Sequence, residues 1–350
     1  MTSKGVEMRL HCLTTFFFTM FIALSADTAK SADHTLIISS WASPNHSINS
    51  RLWPNFIKKL ESASKGRLSA KIVYHLAPPS KQLSLIEKGE ADIGWVFQGY
   101  YPRRFKAASL VTLPGFTASA EALSVAYWRT YEKYLKDQND YKGLKLLGLM
   151  VDGPLQIHSS KPIDTLKDIK DLRLRVSGDA SHVLTSAFGA KSLHVPTSHI
   201  KNALKAKTID GLLMPLEGRR NFSLNEKVPY VYEVPGGFSR GPYALVMNAA
   251  RFNALPEDIR ETLDNDVLGE ALSQIAGQIW DQSDAIGRAA TRASEKNKIT
   301  KASSNDMIYF DKIANSARER VMKKASQAGL DARDAIDFII KESQAYDDAK

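Results

Sequence analysis

The sequence predicts an α/β protein built as two lobes. Three observations carry that expectation. From residue 35 onward, short apolar strands alternate with amphipathic helices, which implies mostly parallel sheet covered on both faces. The pattern restarts after Pro162. The chain has 350 residues, where an ordinary domain has roughly 150.

Residues 35–40 read as the first strand. Leu52, Phe56, Ile57 and Leu60 fall on one face of a helix over 48–64, which Gly66 ends. Alternation over 68–75 gives a second strand. Residues 81–88 make a short helix closed by Gly89, and 91–97 a buried strand. A helix over 119–136 precedes a strand over 144–151. Beyond Pro162 the order is strand 172–176, helix 181–188, strand 192–195, helix 197–206 with a Thr cap, and strand 209–214. A last strand covers 243–248. These elements assign residues 32–151 with about 240–280 to one lobe, and 152–239 with about 281–350 to the other.

The C-terminal third is helical. Pro256, Glu257 and Asp258 mark a helix start, with proline in the first turn and acids at the positive end of the dipole. Ile259, Leu263, Val267, Leu272, Ile275 and Ile279 follow at three- to five-residue spacing. Unbroken to residue 295, this helix is about 60 Å long at ~1.5 Å per residue, too long for one lobe. It is expected to cross both. Helices over 305–326 and 331–346 finish the chain.

The first residues stand apart. Lys4 and Arg9 precede an apolar run over 13–24 that is shorter than the ~20 residues needed to span a bilayer. Small residues follow. This is the pattern of a cleaved secretory signal peptide, assigned to residues 1–31. No later run is long enough to cross a membrane, so a soluble exported protein is expected. Cys12, the only cysteine, lies in this segment, so the mature chain is expected to hold neither disulfide nor thiolate.

Formal net charge is +9, and removing Lys4, Arg9, Lys30, Glu7 and Asp27 leaves +8 (9 − 3 + 2). The basic residues are scattered among acids, which argues against a nucleic-acid face and favours modest attraction of anions. Gly237-Phe238-Ser239-Arg240-Gly241 matches the G-x-S-x-G nucleophile elbow, but that elbow needs a helix after the serine and a histidine later in the chain. Here Pro242 and a strand follow, and the last histidine is His199. His182, His194 and His199 fit no zinc frame, and there is neither a P-loop nor a dinucleotide fingerprint. No cofactor, metal or catalytic residue is assigned.

A binding site reads better. Arg175 sits in a short strand and is followed by Ser177-Gly178. Ligands of open α/β sheets bind beyond the carboxyl ends of strands, where arginine grips a carboxylate through two parallel N–H bonds. The alternative is a solvated strand-face arginine like Arg173. Other polar and aromatic side chains follow strand ends: Trp41 and His46, then Gln98, Tyr100 and Arg104, then Gln156 and His158, then Glu217. Together with Phe238 they are the expected lining of a cleft.

With these residues in place, the chain resembles the periplasmic solute-binding subunit of TRAP transporters, the DctP family. The carriers are Ser64-Lys65-Gly66-Arg67, Lys88-Gly89-Glu90-Ala91-Asp92-Ile93, and Lys161-Pro162-Ile163 through Asp171-Leu172-Arg173-Leu174-Arg175-Val176. Ile209-Asp210-Gly211 with Pro215, and Met247-Asn248 with Leu255-Pro256, extend the match. Trp41-Ala42-Ser43-Pro44 and Gly99-Tyr100-Tyr101-Pro102-Arg103-Arg104-Phe105 are similar to one subgroup. The resemblance implies two lobes of periplasmic-binding-protein type, hinge strands, a helix spanning both lobes, and closure on a ligand. It also implies delivery to sodium-driven TRAP membrane subunits. Arg175 falls on the family's carboxylate-gripping arginine. A second arginine found in some members is missing from Gly153–His158, and Met214 stands where those members often have asparagine. The implied ligand is a small organic acid, a monocarboxylate with an apolar or aromatic body, bound by a monomer. An exported hydrolase and a receptor serving a sensor protein are the competing readings.

Overall fold

The computed structural model describes residues 32–327 and 329–350. The assigned signal peptide lies outside the described residues. The strands, in chain order, are β1 (His34–Ser40), β2 (Leu68–Tyr74), β3 (Ile93–Phe97), β4 (Leu144–Val151), β5 (Gln156–Ser159) and β6 (Arg173–Val176). They continue with β7 (Lys191–His194), β8 (Gly211–Met214), β9 (Tyr230–Glu233), β10 (Pro242–Asn248) and β11 (Lys298–Lys301).

They form two sheets. The first has the order β2-β1-β3-β10-β4, the second β11-β9-β5-β8-β6-β7. In the first sheet β1, β2 and β3 are parallel, and β10 runs antiparallel between β3 and β4. Both faces are covered, as the sequence pattern requires. Along β10, Ala244 and Val246 pack into one apolar layer while Leu245 and Met247 pack into the other. The second sheet is likewise double-sided, with Leu213 on one face and Leu212 and Met214 on the other.

Two short segments cross directly between the sheets, β4 to β5 and β9 to β10, and a third crossing, β10 to β11, runs through helices. The two short segments pair with each other: Asp152 N–H donates to Gly241 O at 3.0 Å, Leu155 N–H to Ser239 O at 3.0 Å, and Phe238 N–H to Leu155 O at 2.9 Å. The G-x-S-x-G match falls on this crossing. Ser239 Oγ donates to Thr112 O at 2.7 Å and is followed by β10, not by a helix.

The expected single helix from Pro256 is two helices. Glu257–Asp266 ends, Gly269 turns the chain with φ +69°, and Glu270–Arg292 begins. Gly269 N–H donates to Leu147 O of β4 at 2.7 Å, which pins the break to the first sheet. The second helix has 23 residues, about 34 Å. It still touches both halves: Gly277 lies against Ala120 and Glu121, and Gly287 against Leu216 and Glu217.

Residues 281–350 do not all go with the second sheet. In Ser304–Gln327, Phe310 and Ala314 pack in the second sheet's core, but Ala325 joins the first. In Ala332–Asp348, Ile336 and Ile339 pack with Leu123 and Ala126 of the helix Ala120–Thr130. Asp347 accepts from Ser119 N–H at 2.8 Å, fixing that end to the first lobe. Among the described residues no helix is long and apolar enough to cross a membrane.

Candidate functional site

A cavity lies between the sheets. β6 brings Arg175 to it. The strand is central, paired to β7 through Leu193 and to β8 through Leu212, so Arg175 is held on a rigid element. Its neighbour Arg173 points to the same face and is engaged by Asp210 at 2.9 and 3.0 Å. Arg175 has no such partner. It is 2% exposed, Nε donates to Val195 O at 2.9 Å, and Nη2 donates to Thr197 Oγ1 at 3.1 Å. Among the described residues no carboxylate forms an ion pair with it. Burial pulls its pKa down, while Tyr100 and Tyr243 act in the opposite direction. A buried guanidinium without a counter-charge is costly, and a ligand carboxylate supplies that charge.

The cavity's apolar wall is aromatic. Trp41 follows β1 and stacks on Trp95 of β3 at 4.3 Å and 16°. His46 packs on Trp95 at 5.3 Å and edge-on to Trp280 at 5.9 Å and 87°. The antiparallel register sets Tyr243 opposite Phe97, with their rings 5.1 Å apart, and Tyr243 stacks on Trp280 at 5.7 Å. From the second lobe, Phe222 meets His46 at 6.0 Å. Such faces and edges accept a flat apolar body between them. The indole N–H groups of Trp41 and Trp280 are buried without an acceptor among the described residues. His46 is neutral: burial lowers its pKa to about 3. Its Nδ1 accepts from Ile48 N–H at 3.3 Å, which leaves the proton on Nε2.

A third part of the lining is acidic. Asp152 stands at the end of β4 and accepts from Gly241 N–H. Glu217 opens the helix Glu217–Asn221, and Asp284 of Glu270–Arg292 accepts from Glu217 N–H at 3.2 Å. Burial raises Asp152 to about 8 and Asp284 to about 6. It raises Glu217 well above the carboxylate range, with Asp284 and Asp152 adding to the effect. Burial pushes the Tyr243 hydroxyl well up, with Asp152, Glu217 and Tyr100 adding to the effect and Arg175 opposing it.

These shifts give a pH dependence. Folded Asp152 keeps its proton to about pH 8, whereas unfolded it ionises near pH 4. Between those values the folded state binds more protons, so rising pH favours unfolding. His46 and His158 act in the opposite sense, but only below the ordinary histidine value near 6.5. From pH 6.5 to 8 the ligand-free protein should therefore lose about 2 kcal/mol through Asp152 alone. Melting curves across that range check it; an Asp152→Asn slope as steep as that of the parent would refute it.

Of the residues expected at the site, Arg175, Trp41, His46, Tyr100 and Glu217 line the cavity. The other five do not. Gln98 is held between Tyr127 and Tyr141 at 3.1 and 2.9 Å. Arg104 pairs with Glu87 and donates to Asp140 O and Lys142 O. Gln156 and His158 lie within β5, not beyond a strand end. Gln156 brackets the backbone of Val234, and His158 meets Met214 O at 2.8 Å and Arg219. Phe238 is in the second lobe's core against Phe188 and Phe310. Sequence reasoning missed Asp152, Phe222, Tyr243, Trp280 and Thr197. Thr197 was expected as a helix cap, but Pro196 holds that place, and the threonine hydroxyl joins Arg175 to Tyr100, 3.3 Å away. His182 and His194 are neighbours, their rings 5.2 Å apart. Among the described residues no group of three or more histidine, cysteine or acidic side chains could hold a metal.

A TRAP periplasmic solute-binding protein from Bordetella bronchiseptica, solved with bound (R)- and (S)-mandelate, superimposes with a TM-score of 0.85. It is 26% identical and covers 89% of this chain and 99% of that one. A TRAP solute-binding protein from Rhodoferax ferrireducens, in complex with copurified benzoate, gives 0.84 at 26% identity, covering 90% and 99%. The Outer membrane transporter protein TsaT of Comamonas testosteroni is 24% identical over 313 residues, 89% of this chain and 92% of that protein. The model of the DctP family, bacterial extracellular solute-binding protein family 7, matches residues 38–325. The two-sheet fold and these likenesses agree, and the chain belongs to the DctP family of TRAP solute-binding proteins.

Proposed function

We propose that this protein captures a small aromatic monocarboxylate between its lobes and delivers it, as a monomer without cofactor or catalysis, to the membrane subunits of a sodium-driven TRAP transporter. Residues 1–31 direct its export to the periplasm. The first sheet, with the C-terminal helix Ala332–Asp348, forms one lobe, and the second sheet forms the other. One observation carries the reading: Arg175 is buried, without an acidic partner among the described residues, in a cavity walled by Trp41, His46, Tyr243 and Trp280. A lone guanidinium suits one carboxylate, and stacked rings suit an aromatic body. The mandelate and benzoate bound by the two similar proteins support the same class.

A thermal-shift screen tests this. A ligand at 100 times its Kd stabilises by about 2.7 kcal/mol, which moves the midpoint by a few degrees in a protein of this size. Benzoate, mandelate and hydroxybenzoates should shift it, and four-carbon dicarboxylates should not. A shift with succinate or malate and none with aromatic acids would sink the assignment.

A further inference from the structure

A second cavity adjoins the first beyond the ends of β3 and β6. Its walls include Phe105, Ala108, Val183 and Pro242, and its rim carries the exposed Pro102 and Lys106. Among the described residues only Phe97 and Ser177 line both cavities. Phe97 ends β3 and Ser177 follows β6, so each sheet contributes one residue to the boundary. Ser177 is small. The bulk of the wall is therefore the Phe97 ring, which is buried.

Neighbours on two sides fix the place of this ring. Toward the Arg175 cavity it meets Tyr100 edge-on, with centroids 4.9 Å apart, and Tyr243 at 5.1 Å. Gly99 and Gly178 line the second cavity and not the first. A Cβ on Gly99 would stand 2.5 Å from the ring's Cε1 and Cζ, and one on Gly178 would stand 4.0 Å from Cζ. The ring lies across Gly99 at a distance that only a residue without a side chain permits. It also stands at the guanidinium end of the ligand cavity. Tyr100 Oη is 3.3 Å from Thr197 Oγ1, which accepts from Arg175 Nη2 at 3.1 Å. Ser177, the other boundary residue, is two positions beyond Arg175 (177 − 175).

We propose that Phe97 is the partition that sets ligand shape: it closes the cavity beside the bound carboxylate and limits the protein to acids whose carboxylate-bearing carbon carries one bulky group. The proposal rests on the reading of Arg175 as the carboxylate's partner and adds what restricts the body attached to it. With its carboxylate on Arg175, a ligand brings the adjacent carbon to the Phe97 side of the cavity. One ring on that carbon goes toward Trp41, His46 and Trp280, which make no ring contact with Phe97 among the described residues. A second ring on the same carbon meets Phe97. Tyr100 and Tyr243 pack against the wall, so it yields only at the cost of overpacking. Without the Phe97 ring, the second cavity supplies the missing room.

Calorimetry on the purified protein with two pairs of acids tests this: phenylacetate against diphenylacetate, and pentanoate against 2-propylpentanoate. Within each pair the carboxylate is the same and one group on the adjacent carbon is added. The parent should bind the unbranched acid about tenfold more tightly, or better. Phe97→Ala should narrow that ratio by about tenfold or reverse it, and a ratio taken within one protein cancels any general loss of affinity. Phe97→Leu shortens the wall with less loss of packing. It should move the ratio the same way by less, and it carries the test if the alanine variant does not fold. Val183→Ala widens the second cavity but leaves the wall, so it should keep the parent's ratio. Equal binding of both members of a pair by the parent overturns the proposal. So does a parental ratio in the Phe97 variants, or a Val183→Ala ratio that falls as far as theirs. Any of these alongside tight phenylacetate binding leaves the aromatic-acid reading standing. Binding of the aliphatic pair alone brings down the aromatic reading and still tests the wall. No binding of any acid by the parent or the variants brings down both.

Discussion

Arg175→Ala lowers affinity for the carboxylate ligand by two orders of magnitude or more, while the ligand-free protein melts near its parent temperature. The two halves of this expectation have different causes. In the complex, the variant leaves a buried carboxylate without its guanidinium, a loss of about 3–5 kcal/mol. In the free protein the same change removes a desolvated charge that no acid balances. It costs only the bonds to Val195 O and Thr197 Oγ1, about 1 kcal/mol each and partly offset by the relief of burial. Arg175→Lys should fall between, because a lysine keeps the charge but cannot make two parallel bonds. Calorimetry and thermal melting on the same preparations separate the effects. Unchanged affinity in Arg175→Ala would mean that the guanidinium braces the 195–197 turn and meets no ligand.

How the sequence announced this site, and where it fell short, follows from what local patterns can encode. Trp41, His46 and Tyr100 were legible because each follows the carboxyl end of a first-sheet strand, where an α/β sheet presents side chains to a ligand. The same rule misplaced Gln98 and Arg104, whose partners, Tyr127, Tyr141 and Glu87, come from segments that only the fold brings near. β5 was not recognised as a strand, so Gln156 and His158 were read as residues that follow a strand end. Tyr243 and Trp280 look like core residues in sequence. Tyr243 reaches the cavity through the register of β10 against β3, which sets it opposite Phe97, 146 residues away (243 − 97). The apolar stripe of the C-terminal third was correct in face but not in continuity. Periodicity over 259–279 survives the break because Gly269 turns the chain between two helices that pack on the same core.

Gly287→Ala destabilises the protein by about 2–4 kcal/mol, against the direction that helix propensity dictates. An alanine in a helix interior is normally worth about 1 kcal/mol more than glycine. Here the added Cβ would stand 2.5 Å from Leu216 O, 2.7 Å from Leu216 C and 2.8 Å from Glu217 Cα. All three are backbone atoms, so no side chain can rotate away, and the helix must retreat from the segment that carries Glu217. Gly277→Ala makes the same test at the other end, where Cβ would meet Ala120 O and Glu121 Cα at 2.6 Å. The exposed Ala290 of the same helix supplies the reference: Ala290→Gly should cost only the propensity difference, about 1 kcal/mol. Chemical denaturation of the three variants ranks them. If Gly287→Ala proved as stable as the parent or more so, the close approach would not be what holds this helix to the second lobe. If it folds but is weakened as expected, its aromatic-acid affinity should fall as well, because displacing Leu216 and Glu217 opens the acidic end of the cavity, whereas Gly277→Ala loosens the first lobe and leaves Glu217 in place.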